Sequence, residues 1–98
     1  MLIADIATEF VGTFFFVATI IATSGQAIAA GVALTAAIYL AGQKNPANFN
    51  PAVSIAMMMR GALSPGRCLV MIVAQLTAAL CAYLFVTWVH IKPTSKPV

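Results

Sequence analysis

Charged residues are spaced so widely along the chain that they leave long uncharged, apolar stretches between them. The stretch from Phe10 to Gln43 contains 34 residues, too many for one helical crossing of a bilayer, which takes about 20. The turn-forming cluster Ser24–Gln26 interrupts it. We therefore predict two membrane spans here, over about residues 3–23 and 27–42, the second of them short.

A third uncharged stretch runs from Cys68 to Ile91. Ser64 is a good helix cap, and Pro65 suits the first position of the helix that follows. These signals predict a third span over about residues 66–91. The polar tail over residues 92–98 contains two prolines and is expected to fray.

Between the second and third spans the sequence predicts a helix of half the usual length, over residues 51–60. Asn50 can cap it and Pro51 suits its first position, whereas Gly61 ends it and Arg60 lies in its last turn. Ten residues give about 15 Å of helix, half the thickness of a bilayer core. The helix lacks the polar face that a surface helix needs, so we expect it to enter the membrane and to begin near the midplane.

Composition supports a membrane protein. Apolar residues make up 62% of the chain and charged residues 7%, against about 25% charged residues in soluble domains. This excludes a soluble globular protein and a disordered one. The basic residues are scattered, so we expect no nucleic-acid partner. The predicted fold is an all-α, multi-pass membrane protein forming a single domain over residues 1–98.

Nothing in the sequence predicts an enzyme. One histidine and two cysteines show no metal-ligand spacing, so we expect no metal, no cofactor and no catalytic residue.

On one helix Cys68 and Cys81 would lie about 19 Å apart, too far for a disulfide. The first residues lack the basic start of a signal peptide, so the first span is expected to act as its own insertion signal.

Four features together resemble the aquaporin and glycerol-facilitator family, the major intrinsic proteins. Asn50–Val53 resembles the family's Asn-Pro-Ala signature, and Thr8–Thr13 resembles the Ala-Glu-Phe-x-Gly-Thr run of its first span. Gly31 resembles a glycine of the second span and Gln75 the glutamine of the third. Their order along most of the chain makes the resemblance specific to an N-terminal-type half.

Four positions or segments define how the chain relates to the family's usual two-half pattern. Family members join two such halves as an inverted repeat, and this sequence contains one. Asn45–Ala47 repeats the tripeptide, but a helix beginning there would contain Pro51 at a cost of about 3 kcal/mol, so we interpret it as loop. Asn48 stands where the family has a histidine, and Val53 stands where second halves carry a filter arginine.

The resemblance implies a channel for water and small uncharged solutes such as glycerol or urea. Asn50 would offer its side-chain amide to the solute, while backbone carbonyls just before it accept hydrogen bonds. Ala30 falls near a filter position that is usually aromatic, which predicts a wide filter. The candidate pore residues are Asn50, Pro51, Ala52, Val53, Ala47, Asn48, Phe49 and Ala30.

Glu9 needs an explanation, because an ionisable group within a span is costly. By resemblance it lies behind the pore loop and accepts backbone N–H groups, with Gln75 as the second bracing residue. The rival interpretation is a small proton-coupled exporter that uses Glu9. Such exporters have four full spans and no half-helix.

One half cannot enclose a pore, so the sequence predicts an assembly in the membrane. Three basic residues lie on one side (Lys44, Arg60, Arg67) and two on the other (Lys92, Lys96), a weak signal for orientation. We therefore predict an antiparallel homodimer, or a higher oligomer built from it, with membrane lipid around it. The alternative is a non-conducting fragment that needs a second-half partner.

Small-residue stripes on the second span (Ala27, Gly31, Thr35) and the third (Ala74, Ala78, Ala82) predict helix contacts.

Overall fold

The computed structural model describes residues 2–42 and 47–89, and within them the chain is helical. The helices are α1 (Leu2–Ala22), α2 (Ala27–Ala41), α3 (Pro51–Met59) and α4 (Pro65–Trp88). The first three differ from the predicted bounds by one residue at most, and α4 ends three residues before the predicted end of its span. The predicted tail over residues 92–98 lies outside the described residues.

The turns and caps arise from the residues that predicted them. Ser24 and Gly25 adopt left-handed backbone, with φ of 55° and 78°, and end α1. The Asn50 Oδ1 atom accepts a hydrogen bond of 2.8 Å from the Ala52 N–H at the start of α3. The Ser64 Oγ atom accepts one of 3.3 Å from the Arg67 N–H at the start of α4. Both predicted caps are present.

Helices α1 and α4 pack side by side and run in the same direction. Asp5 pairs with Arg67 near the first turns of both helices, and Gln75 donates to Glu9 further along. The Phe14 and Phe85 rings, which come later again in each helix, lie 5.5 Å apart. The alanine stripe on α4, consisting of Ala74, Ala78 and Ala82, is buried. It lets the two helix backbones approach closely, as predicted.

Helix α2 has fewer packing partners than α1 and α4. Among the described helices it packs only against α1, and α3 packs only against α4. It buries Ala33 and Ala37, whereas the predicted stripe Ala27, Gly31 and Thr35 is exposed. As a contact within this chain the α2 stripe is wrong, because it lies on another face of the helix from the two buried alanines.

The outer surfaces are strongly apolar. Helices α1 and α4 are long and apolar enough to cross a bilayer, whereas α2 is a shorter apolar helix of 15 residues, or about 22 Å. Ile28 and Leu40 on α2 are 80% and 87% exposed. Such surfaces suit contact with lipid or with other helices rather than with water.

Candidate functional site

A buried polar cluster forms where α1, α3 and α4 meet the segment that precedes α3. Glu9 and Ser54 have no exposed surface, and Gln75 is 1% exposed. Polar groups buried among apolar helices are tolerated when hydrogen bonds satisfy them. The partners of these three side chains therefore define the site.

Glu9 on α1 accepts hydrogen bonds from three N–H donors. The Asn48 backbone N–H donates to Oε2 at 3.1 Å, and the Phe49 backbone N–H donates to Oε1 at 2.8 Å. The Gln75 Nε2 atom donates to Oε1 at 2.7 Å. One carboxylate thus joins α1, α4 and the loop before α3.

Ser54 is a site residue that sequence reasoning missed. It lies in α3, one turn after Asn50, and its Oγ atom accepts hydrogen bonds from Gln75 Nε2 at 2.8 Å and from Asn48 Nδ2 at 3.2 Å. The available signal was a single hydroxyl in an otherwise apolar helix, one turn after the capping residue.

The Phe49 ring of the loop packs against α1 at Gly12. Phe49 is 2% exposed, and its backbone has a φ of 54°, in the left-handed region that side chains rarely adopt. A Cβ atom built on Gly12 would lie 2.1 Å from the Phe49 Cε1 atom. Any larger residue at this position would overlap the Phe49 ring.

Gly12→Ala is expected to displace the Phe49 ring and to destabilise the protein by about 1–3 kcal/mol, the usual cost of overpacking. Thermal unfolding in detergent, followed by circular dichroism, measures the change. Gly31→Ala is the matched control, because nothing lies within 4 Å of the Cβ atom it would add. Equal unfolding temperatures for the two variants would contradict the predicted clash.

Asn50 lies at the exposed start of α3. Its Oδ1 atom caps the helix, and its Nδ2 group has no partner among the described residues. Ala52 and Val53 are exposed beside it, while Pro51, Ala47 and Asn48 are partly exposed. The amide hydrogens are therefore available to an oxygen-bearing solute, next to the positive end of the α3 dipole.

The structure does not bring every predicted site residue together. Ala30 is partly exposed on α2, which does not contact α3. An open cavity of about 540 Å³, lined almost entirely by apolar groups, lies between α1 and α2 and reaches Phe49. Asn45 and Pro46 of the second tripeptide lie outside the described residues.

No group of three or more histidine, cysteine or acidic side chains that could hold a metal ion occurs within residues 2–42 and 47–89. In this part of the chain Glu9 and Asp5 are the acidic residues, and Asp5 pairs with Arg67. The site around Glu9 and Asn50 consists of hydrogen-bond donors and acceptors at a helix end.

Comparison with known proteins finds sequences that are similar to this chain. The profile of the family described as Major intrinsic protein matches residues 2–97. Glycerol uptake facilitator proteins of Streptococcus pneumoniae strains R6 and TIGR4 are each 35% identical to the chain over 63 residues. The match covers 64% of this chain and 26% of each relative, so the chain aligns with about a quarter of their length. No solved structure matches the chain.

Since the family profile covers almost the whole chain and two helices are suited to cross a bilayer, both findings lead to one assignment. The chain belongs to the major intrinsic protein family and is an integral membrane protein.

Proposed function

We propose that the chain forms one half of a channel for water and small uncharged solutes such as glycerol or urea. The observation that carries the proposal is the capped, exposed Asn50 at the start of a half-length helix, held in place through Glu9. The Streptococcus pneumoniae relatives are glycerol uptake facilitators by name, which makes glycerol the first solute to test.

In the proposed topology α1, α2 and α4 cross the membrane and α3 is re-entrant. Gln75 lies ten residues after Pro65, which places it about 15 Å along α4, half the thickness of a bilayer core. Gln75 is hydrogen-bonded to Glu9 and Ser54, so the loop held by Glu9 lies at a similar depth. The ion pair between Asp5 and Arg67 puts the starts of α1 and α4 on the same side.

The proposed mechanism uses both the hydrogen-bond donors and the hydrogen-bond acceptors of the loop. The Asn50 amide donates hydrogen bonds to a water or hydroxyl oxygen, while the carbonyls of Ala47, Asn48 and Phe49 accept hydrogen bonds from the solute in single file. The positive end of α3 repels cations and protons at the same point. Ala30 at the filter position leaves room for solutes larger than water.

A second half is needed to enclose such a pore. Irregular backbone at membrane depth is tolerated only if protein covers it or if it lines a polar cavity. The exposed α2 stripe and the apolar cavity between α1 and α2 leave room for further helices. We propose that a second copy in the opposite orientation supplies them, so that the two α3 starts meet near the midplane.

Glu9 argues for a channel rather than an exporter. A proton-coupled carboxylate must exchange protons with the solution during each cycle. Glu9 is fully buried, and both of its oxygens accept N–H groups, two of them from the backbone. Releasing those donors would disturb the loop itself.

The expected result for purified protein in liposomes is downhill flux of water, glycerol and urea that does not depend on a pH gradient. Liposome swelling under osmotic gradients measures all three solutes. Flux that requires a proton gradient would favour the exporter. Passage of water alone would refute the wide filter.

The antiparallel pairing is tested on the same preparation. The mass of the protein in mild detergent should be an even multiple of one chain, and tags at the two termini should each be accessible from both sides of the membrane. A single fixed orientation would refute the homodimer and would require a partner that supplies the second half.

A further inference from the structure

Four residues form a closed ring of hydrogen bonds behind the pore loop. Asn48 contributes twice, because its backbone N–H donates to Glu9 Oε2 at 3.1 Å and its side-chain Nδ2 donates to Ser54 Oγ at 3.2 Å. Gln75 Nε2 closes the ring by donating to Ser54 Oγ at 2.8 Å and to Glu9 Oε1 at 2.7 Å. The ring connects α1, the loop, α3 and α4.

We propose that Ser54 is a positioning residue of the pore and that Asn48 acts on it through its side-chain amide. This inference rests on the proposed function. Glu9 holds the loop only by backbone N–H groups, which fixes the loop against α1 but not against α3. The bond from Asn48 to Ser54 crosses the start of α3 and joins the loop to its first full turn.

The position of this bond explains its effect. Asn48 precedes Asn50 by two residues and Ser54 follows it by four, so the bond bridges the backbone that carries Asn50. It therefore limits rotation of the loop carbonyls and of the Asn50 amide relative to α3. Asn48 and Asn50 thus have different roles, because the Asn48 amide is used within the protein and the Asn50 Nδ2 group is left for the solute.

Ser54 is also the shared acceptor of two N–H groups in a fully buried place. Ser54→Ala removes the acceptor of Asn48 Nδ2 and one of the two acceptors of Gln75 Nε2, and Ser54→Cys puts a slightly larger and much weaker acceptor in the same place. Asn48→Ala removes one donor and keeps Ser54. A partly exposed Asn48 makes this variant the safer one for folding.

The test compares Ser54→Ala, Ser54→Cys, Asn48→Ala and the double variant Ser54→Ala/Asn48→Ala. Thr77→Ala is the control, because its hydroxyl is exposed on α4 and bonds only to the Val73 carbonyl one turn back. Hydrogen exchange of the Phe49 amide reports the hold on the loop without any transport. The ratio of glycerol to water permeability reports the pore.

Each single variant is expected to raise the exchange rate of the Phe49 amide about tenfold and to lower the glycerol-to-water ratio by a similar factor. The double variant should have the same Phe49 exchange rate and the same glycerol-to-water ratio as Ser54→Ala, because both changes break the bond between Asn48 and Ser54. The control should leave both measurements unchanged.

Three results would overturn the proposal: Phe49 exchange unchanged in Ser54→Ala, additive effects in the double variant, or permeabilities that fall together with an unchanged ratio. The last outcome would mean that Ser54 only supports folding. Absence of flux in the wild-type chain would refute the proposed function instead, and the exchange rates would still decide whether Ser54 holds the loop.

Discussion

Replacing Glu9 with alanine is expected to abolish solute flux and to remove a large share of the stability of the folded chain. The variant removes the acceptor of three N–H groups: the backbone groups of Asn48 and Phe49, and one N–H of the Gln75 side chain, which still donates to Ser54. Each buried, unsatisfied donor costs about 1–3 kcal/mol, so the sum is at least about 3 kcal/mol. Proteins of ordinary stability have only about 5–15 kcal/mol in total.

The stability and the glycerol flux of Glu9→Gln should lie between those of the wild type and of the alanine variant. A glutamine offers one oxygen instead of two, and its NH₂ group then faces an N–H donor that has lost its acceptor. We expect a lower unfolding temperature and a glycerol flux reduced at least about tenfold, because one charge-assisted hydrogen bond is lost. Circular dichroism in detergent and liposome swelling measure the two effects.

Gln26→Ala is the matched control for both Glu9 variants. Gln26 is exposed in the turn between α1 and α2 and makes no side-chain capping bond. Its replacement should change the free energy of unfolding by less than about 0.5 kcal/mol. Wild-type flux through the Glu9→Ala variant would contradict the bracing role.

Local rules made the helices of this chain predictable. The caps at Asn50 and Ser64 are side-chain bonds within three residues of the helix start, so the residue types alone indicate them. The turn at Ser24 and Gly25 depends likewise on local backbone preference. The contacts of Glu9 are not local: it lies 39 and 40 residues from the backbone groups that it binds, and only resemblance to the family placed it there.

Other parts of the site depend on packing that spacing along the chain does not encode. Ser54 resembles an ordinary serine until α4 brings Gln75 to it, 21 residues further on. The left-handed backbone of Phe49 is supported by its ring's contact with Gly12, which a sequence motif cannot show. The α2 stripe does not pack within this chain, and spacing could not show this, because small residues occur on two faces of the helix and both patterns are compatible with close helix packing.

The exposed Asn50 has two separable properties, and this makes it the best residue for testing selectivity. Its Oδ1 atom caps α3, which is a structural task that aspartate and serine also perform well. Its neutral Nδ2 group keeps the start of the helix electrically positive. A substitution can therefore change the charge at the centre of the pore while it keeps the cap.

Asn50→Asp is expected to raise the permeability of small cations relative to glycerol by about a hundredfold. The new carboxylate replaces a donor by a negative charge at the point where the helix end repels cations, and a charge about 4 Å from an ion contributes about 4 kcal/mol in partly screened surroundings. Only about 2.7 kcal/mol off the barrier gives a hundredfold change in rate. Cation leak is measured as the decay of a potassium diffusion potential in the liposomes used for swelling.

Asn50→Ser separates charge from the loss of the amide. Serine keeps a helix-capping oxygen and adds no charge, so this variant should lose glycerol flux without gaining cation leak. If Asn50→Asp and Asn50→Ser leak cations equally, the barrier to cations arises from the shape of the pore and not from its electrostatics. An Asn50→Asp channel that conducts glycerol and excludes cations as the wild type does would place Asn50 outside the conducting path, and with it the proposed role of α3.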